Sequence, residues 1–208
     1  MLEAMLEGTF VSLEIFLFTL LVAIPLALPV ALGRKSRNRL VKVPVNLYIL
    51  VMRGTPLILQ IIFVYFAPYY IFKASYDRFT AVIVAFAINY AAYFAEIYRG
   101  GIESIPRGQY EAAKVLGFTK ADTFFRIILP QVVKRILPAM GNEVITLVKD
   151  TALAQTIGVA ELFRVAQNAS ARQFSTMPIF VAGAFYFMMN WAVSAGFIKL
   201  EKKLAYYS

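Results

Sequence analysis

The polar side chains best suited to chemistry lie within stretches that are otherwise apolar. Glu143 and Asp150 are seven residues apart, which is two helical turns, so they share one face of a helix. Asn89 and Tyr93 are four apart and share a face of an earlier stretch. Carboxylates hold amino or cationic groups, while amides and hydroxyls orient them. The pattern predicts a weak solute site along a polar path between two copies of the chain, formed by Asn89, Tyr93, Asn142, Glu143, Thr146, Asp150, Thr151 and Gln155.

A structural interpretation of the same residues stays open. Polar groups in membrane helices also form ordinary helix–helix hydrogen bonds, and Lys149 would neutralise either carboxylate. A charge at bilayer depth costs about 2.5–3.5 kcal/mol on insertion scales, so it faces a cavity or a partner in either case. Glu96 has Arg99 one turn away, which predicts a structural ion pair. Arg53 either extends to lipid headgroups or contacts Glu96.

The composition indicates which elements position these groups. Of the 208 residues, 60% are hydrophobic and 16% are charged, whereas a soluble domain has about 45–50% and 25%. The chain has no Cys and no His, which excludes disulfides, thiol nucleophiles, imidazole bases and His/Cys zinc sites. A carboxylate enzyme and a carboxylate-only metal site remain formally open, although no ligand cluster points to a metal. The net charge of +9 fits basic loops of a membrane protein better than nucleic-acid binding.

The apolar segments predict an all-α membrane protein of one domain, residues 1–208, with five transmembrane helices. A span needs about 20 apolar residues. The short apolar segment 43–52 precedes a break at Pro56, so it is interpreted as an elbow near the membrane surface. Two prolines inside the first span are expected to kink it. The predicted spans are 10–32, 56–72, 79–98, 136–160 and 177–198.

Positive charge is concentrated on one side of the predicted membrane. Segments 34–42, 99–135 and 199–203 contain 15 of the 21 Lys and Arg residues, and the loops of the other side contain four. The positive-inside rule therefore predicts an outer N-terminus and an inner C-terminus. On the outer side, residues 161–176 predict an interfacial helix.

Within the inner segment 99–131, residues 104–130 predict a helix-turn-helix. Gly117 is suited to the left-handed conformation that closes a first helix, and Thr119 with Asp122 is suited to cap the second. Pro130 is expected to follow that second helix. Apolar residues in an inner loop usually indicate a protein surface, while a solvated loop lying on the membrane is the alternative.

This segment resembles the EAA loop of permease subunits in bacterial ABC importers. The family pattern is Glu-Ala-Ala, three residues, Gly, nine residues, Ile, one residue, Leu-Pro. Every spacing is matched by Glu111-Ala112-Ala113, Gly117, Ile127 and Leu129-Pro130. The polar amino-acid branch, which imports histidine, arginine, glutamine or cystine, is further resembled by MRGTPL at 52–57, AEIYRGGI at 95–102, GNE at 141–143 and LVKDT at 147–151.

The resemblance implies the permease fold of a type I ABC importer, in a bacterial cytoplasmic membrane. It implies a coupling helix that docks on a separate cytoplasmic ATPase dimer, which binds the ATP and Mg; this chain needs no cofactor and has no G-x-x-x-x-G-K-[ST] loop. The other implied partners are a second permease subunit, identical or paralogous, an extracytoplasmic solute-binding protein and a polar amino acid, with no nucleic acid. A self-sufficient secondary carrier or channel is the alternative. The residues implied at the ATPase contact are Arg107, Tyr110, Glu111, Ala112, Ala113, Lys114, Leu116, Gly117, Phe118 and Arg126.

Overall fold

The computed structural model describes residues 1–75 and 77–204, and within them every regular element is helical. This confirms the predicted all-α class. A π-helical turn, Thr123–Ile128, precedes α7, and a 3-10 helix, Thr151–Ile157, follows it. The α-helices are α1 (Leu2–Arg34), α2 (Arg39–Gly54), α3 (Leu57–Phe72), α4 (Arg78–Glu103), α5 (Arg107–Val115), α6 (Lys120–Asp122), α7 (Leu129–Asp150), α8 (Leu162–Gln173) and α9 (Met177–Leu204).

Among the described residues, α1, α4 and α9 are each long and apolar enough to cross a membrane alone. The helices α2 and α3 have 16 residues each and meet at a bend of 114°, so together they would make a fourth, broken span. The bend lies at Thr55 and Pro56, where the backbone is extended and the proline has no amide to continue the helix. The predicted change of direction before the second span is therefore confirmed.

The predicted fourth span, 136–160, is not one helix. α7 begins at Leu129 and ends at Asp150, where the backbone changes to the 3-10 helix, and Gly158 ends that helix with a φ of 83°. Apolar periodicity does not distinguish α from 3-10 hydrogen bonding over seven residues, so the sequence pattern could not mark the change.

The prediction that Pro130 follows a helix is wrong. Pro130 lies in the first turn of α7, directly after the π-helical turn. The amide of Leu129 bonds to the carbonyl of Phe124, five residues earlier, so the hydrogen-bond pattern restarts here. In a first turn no intrahelical amide donor is needed, and proline is accepted there.

The core forms around α1 and α4, which run parallel. On α1 every fourth residue from Ile15 to Ala31 is buried, and three of these five are alanine. On α4, Ala81, Ala85 and Ala95 are fully buried. Within a membrane the hydrophobic effect does not drive helices together. Small side chains stabilise helix pairs there because they let the backbones approach closely. α4 is therefore the central helix, with the other long helices packed around it.

One end of the bundle carries the last turns of α1, α4 and α9 and the first turns of α7; we call it the basic end. Arg34 of α1 contacts Glu96 of α4 there, and Arg135 of α7 donates a hydrogen bond to the carbonyl of Ser104. The hydrophobic cluster of Ile105, Ile128 and Val132 packs in the same place. The segment that holds α5 is thus anchored to α4 and α7 at this end.

At the opposite end, carboxylates cap two helices. Asp77 accepts a hydrogen bond from the amide of Thr80 at 2.9 Å and caps α4. Hydrogen bonds from the Thr80 side chain and amide lower the pKa of the Asp77 carboxyl. Glu161 caps α8, is fully buried, and accepts the hydroxyl of Tyr186 at 2.8 Å. These caps fix where α4 and α8 begin, and the predicted helix within 161–176 is confirmed as α8.

The contact between α4 and α7 supplies a first prediction. A Cβ on Gly101 would overlap Cγ2 of Ile136, while a Cβ on the neighbouring Gly100 would meet nothing within 4 Å. Overpacking costs about 1–3 kcal/mol. We therefore expect Gly101→Val to lower the midpoint of thermal unfolding by several degrees and Gly100→Val to leave it unchanged. Equal midpoints in the two variants would contradict the close approach, and Ile136→Ala should restore part of the loss in Gly101→Val.

Candidate functional site

The two carboxylates of the predicted site lie on one continuous helix, as their spacing predicts. Asp150 ends α7, and its Oδ2 accepts the hydroxyl of Tyr90 at 2.7 Å. Tyr90 is only 2% exposed and lies near the middle of α4, whereas Asp150 is half-buried. Within the described residues no donor is recorded for the Oδ1 atom of Asp150. Oδ2 of Asp150 is thus hydrogen-bonded within the protein, and Oδ1 is available to a ligand.

The charges around the carboxylates come from two helices. Lys149 attracts Asp150, as the structural interpretation expects. Glu143 is half-buried, is attracted by Arg53 of α2 and is repelled by Asp150. Within the described part of the chain Glu143 has no hydrogen-bond partner. Two acids and two bases therefore share this region, which suits a solute that carries both signs of charge.

The remaining residues of the predicted site divide by burial. Asn142 and Thr146 are exposed, and Tyr93 and Gln155 are half-buried. Thr151 is 1% exposed, and its hydroxyl donates to the carbonyl of Val148 at 2.8 Å. In this conformation Thr151 stabilises the change from α7 to the 3-10 helix.

Asn89 also faces the interior and is 4% exposed. Its amide donates to the carbonyl of Met52 at 3.0 Å and to Oε1 of Gln60 at 2.9 Å. Gln60 in turn donates to the carbonyl of Thr55 at 3.1 Å. Sequence reasoning did not select Gln60, although a glutamine in an apolar span is a signal. These amides replace the backbone hydrogen bonds that the bend between α2 and α3 leaves unmade.

Tyr90 is a residue of the candidate site that sequence reasoning did not select. Its ring lies 6.3 Å from that of Tyr93, and the guanidinium of Arg53 lies 5.3 Å from the centroid of Tyr93. A cation over an aromatic face at this distance is attracted by the ring. Aromatic rings therefore connect Asp150 to Arg53 along α4. The available signal was the spacing of three residues between two tyrosines.

A cluster of charged side chains lies at the basic end, around Glu96. Glu96 is contacted by Arg34 at 2.9 Å, by Arg53 at 3.5 Å and by Arg99 at 3.1 Å. The predicted Glu96–Arg99 pair and the Arg53–Glu96 contact are confirmed, while the contribution of Arg34 was not anticipated. One carboxylate thus links α1, α2 and α4.

The Glu96 cluster supplies a second prediction. The side chain of Glu96 is 12% exposed, and Glu96→Gln would leave three guanidinium groups without their shared anion. We expect a loss of about 1–3 kcal/mol in unfolding free energy. The measurement is chemical unfolding in detergent at low and high salt. Glu103→Gln, which removes one exposed partner of Arg99, is the matched control, and an equal effect of both would contradict a central role of Glu96.

The turn of the predicted helix-turn-helix is confirmed by the structure. α5 ends at Val115, Gly117 has a φ of 78°, and the amide of Phe118 bonds to the carbonyl of Ala113 at 3.0 Å. Thr119 accepts the amide of Asp122 at 3.1 Å, which is the predicted cap. The left-handed backbone conformation after a helix costs little free energy when the residue is glycine and more when it has a Cβ.

Most residues predicted at the ATPase contact lie on the surface of this segment. Leu116 is 74% exposed and Phe118 is 39% exposed. Ala113 is 1% exposed and faces the interior, so its small side chain permits packing of α5 and offers no docking area. Arg126 forms an ion pair with Asp122 at 3.1 Å. The remaining predicted residues are exposed: Arg107, Tyr110, Glu111, Ala112, Lys114 and Gly117.

Comparison with known proteins places these features in a wider group. Residues 23–205 match the family model described as "Binding-protein-dependent transport system inner membrane component". The octopine transport system permease protein OccM of Rhizobium radiobacter is 37% identical, over 95% of this chain and 84% of its own length. The L-cystine transport system permease protein TcyB of Bacillus subtilis is 36% identical, over 96% of this chain and 86% of its own length.

Two solved structures have a similar backbone. The first, described as the crystal structure of an amino acid ABC transporter with histidines, aligns with a TM-score of 0.89 and 34% identity, over 97% of this chain and 94% of that one. The second, an inward-facing MetNI methionine ABC transporter, aligns with a TM-score of 0.75 and 16% identity, over 98% and 95% of the two chains, and indicates a shared fold only.

Proposed function

This chain belongs to the family of binding-protein-dependent transport system inner membrane components, and from that premise we propose that it imports a polar amino acid as the transmembrane subunit of an ATP-driven transporter. The observation that carries the proposal is the similarity over nearly the whole chain to amino-acid permeases and to an amino acid ABC transporter. Members of this family are the membrane components of their transporters. A separate partner would therefore bind ATP and Mg and hydrolyse the ATP.

Coupling to that partner would use the surface of α5 and the turn after it. Glu111 is exposed and forms no ion pair within the described residues, and Leu116, directly after α5, is largely exposed. An apolar surface flanked by charges on a short helix is typical of a docking element. Because Ile105, two residues before α5, packs against Ile128 and against Val132 of α7, a displacement of α5 would be transmitted to the helix that carries both carboxylates.

The proposed topology has five spans, with the N-terminus outside and the basic end in the cytoplasm. α1, α4 and α9 cross alone, α2 with α3 crosses as a bent pair, and α7 with the 3-10 helix forms the fifth. By composition α7 is not among the described helices that are apolar enough to cross a membrane, because it carries charged residues, and such residues need a cavity or partner in a span. This supports a position for α7 beside a polar path, shared with a second permease subunit in a bacterial cytoplasmic membrane.

The solute site would lie at the level of Asp150, between two copies of the chain. Asp150 and Glu143 would attract an amino group, and Arg53 would attract a carboxylate. Binding of ATP would close the motor and open the path outward, where a binding protein delivers the solute; hydrolysis would reset it inward. In this alternating access the chain contributes a path and a mechanical link.

The experiment is reconstitution in liposomes of the chain with its ATPase and solute-binding protein. A thermal-shift screen of amino acids on the purified complex first selects the solute. We expect uptake that requires all components and ATP, and ATP hydrolysis that rises with the loaded binding protein. Uptake by this chain alone, driven by an ion gradient or by the solute gradient, would instead identify the secondary carrier or channel and overturn the proposal.

A further inference from the structure

An apolar groove runs along the outside of the bundle between α1, α7 and α9. Its volume is about 430 Å³, and among the described residues that line it the Tyr98 hydroxyl is the one polar side-chain group. That hydroxyl donates to the carbonyl of Ile24 at 3.2 Å, so it presents no free polar group to the groove. On α7 the groove extends from Val133 to Val144. Eleven helical steps of about 1.5 Å give about 16 Å, close to half of a hydrocarbon core of about 30 Å.

A basic recess adjoins this groove at the basic end. Its volume is about 950 Å³. Among the described residues that line it, Arg126, Lys134 and Arg135 are basic and none is acidic, and Arg126 is paired with Asp122 outside the recess. Leu204 lines it too, and the last turns of α9 before Leu204 carry three lysines and one acid: Lys199, Glu201, Lys202 and Lys203.

The two concavities share one lining residue. Val133 lines both, with the recess on the side of Pro130 and the groove on the side of Leu137. Val133 is 40% exposed, so the junction is open to the surroundings. A basic opening that leads into an apolar channel of one leaflet's depth has the charge and shape of an anionic phospholipid, with its phosphate at the interface and an acyl chain below.

We propose that the groove and the recess together bind one anionic phospholipid of the leaflet at the basic end. The phosphate lies among Lys134, Arg135 and Arg126, and one acyl chain lies between α7 and α9. The occupant would contact the first turns of α7. These turns connect the α5 segment to the far end of α7, where Asp150 lies. The inference requires that the chain lies in a membrane and is independent of its transported solute.

The test is native mass spectrometry of the detergent-purified complex, with phosphatidylglycerol and phosphatidylethanolamine of identical acyl chains added in competition. The groove is filled by Gly196→Leu, because a Cβ on Gly196 meets nothing within 4 Å. Gly183→Leu is the matched control, on the same helix, equally open, and outside the groove. Lys134→Gln removes one charge from the recess, and Lys134→Arg keeps it.

The wild-type complex should retain one phosphatidylglycerol per copy of the chain in preference to phosphatidylethanolamine. Gly196→Leu should lower that retention about tenfold, as expected when a few methylenes are no longer buried, and Gly183→Leu should not. Lys134→Gln should lower the headgroup preference about fivefold, and Lys134→Arg should retain it. Equal retention in the two leucine variants, an unchanged preference in Lys134→Gln, or dissociation of a second copy by Gly196→Leu would each overturn the proposal.

Discussion

Gly117→Val is expected to reduce solute uptake about 5- to 30-fold while the complex still assembles. Gly117 has a φ of 78°, and a Cβ there meets nothing within 4 Å, so the effect comes from the backbone alone. A residue with a Cβ in the left-handed region costs about 1–2 kcal/mol, which lowers the equilibrium constant for the native turn about 5- to 30-fold. The turn sets Leu116 and Phe118 relative to Glu111, so the surface offered to the ATPase changes shape.

The control is Gly100→Val, the same substitution at an open position within a regular helix. Uptake and ATP hydrolysis are measured together in liposomes. Uncoupling appears as reduced uptake with residual hydrolysis that no longer responds to the loaded binding protein. If Gly117→Val transports as well as Gly100→Val does, the docking role of the turn is contradicted. Glu111→Arg should give the same uncoupled pattern, because charge reversal at an exposed position acts on the partner and leaves the fold intact.

The turn could be predicted because its determinants are local. Gly117 and Thr119 define a helix end and a helix start through hydrogen bonds to residues four or fewer positions away, apart from one five-residue closure. The break at Pro56 is local in the same sense. The π-helical turn before Pro130 could not be predicted, because it depends on how α6 joins α7 around a packed cluster that includes Ile128. Two hydrogen-bond patterns are compatible with the same apolar spacing there.

The candidate site shows the same limit. The shared face of Glu143 and Asp150 follows from helix geometry and was predictable. The contact between Glu96 and Arg34 joins residues 62 positions apart, and the pairing of α1 with α4 that creates it is a property of the tertiary fold. Asn89 resembled a solute ligand in the sequence, but its amide is used where α2 bends against α4. A polar residue in a span signals a partner without revealing whether that partner is solute or protein.

Asp150→Asn is expected to raise the KM for uptake of a cationic or zwitterionic amino acid about 10- to 100-fold. The amide oxygen of asparagine can still accept the hydroxyl that Tyr90 now donates at 2.7 Å, so the geometry is kept and the charge is lost. A hydrogen bond to a charged group contributes about 1.5–3 kcal/mol, and each 1.4 kcal/mol is tenfold in affinity. Glu143→Gln should act in the same direction, since Glu143 shares the face and has no hydrogen-bond partner among the described residues.

Tyr90→Phe separates the two interpretations of Asp150. It removes the hydrogen bond and keeps the charge, so a solute site predicts a smaller change in KM than Asp150→Asn produces, whereas a purely structural pair predicts equal losses. Thermal stability is measured beside KM, because loss of the hydroxyl alone should cost about 0.5–1.5 kcal/mol. An unchanged KM in both Asp150→Asn and Glu143→Gln would remove these carboxylates from the path and leave Lys149 and Arg53 as their structural counterions. If these two variants raise the KM only for cationic and zwitterionic solutes, the two carboxylates determine the charge selectivity of the path.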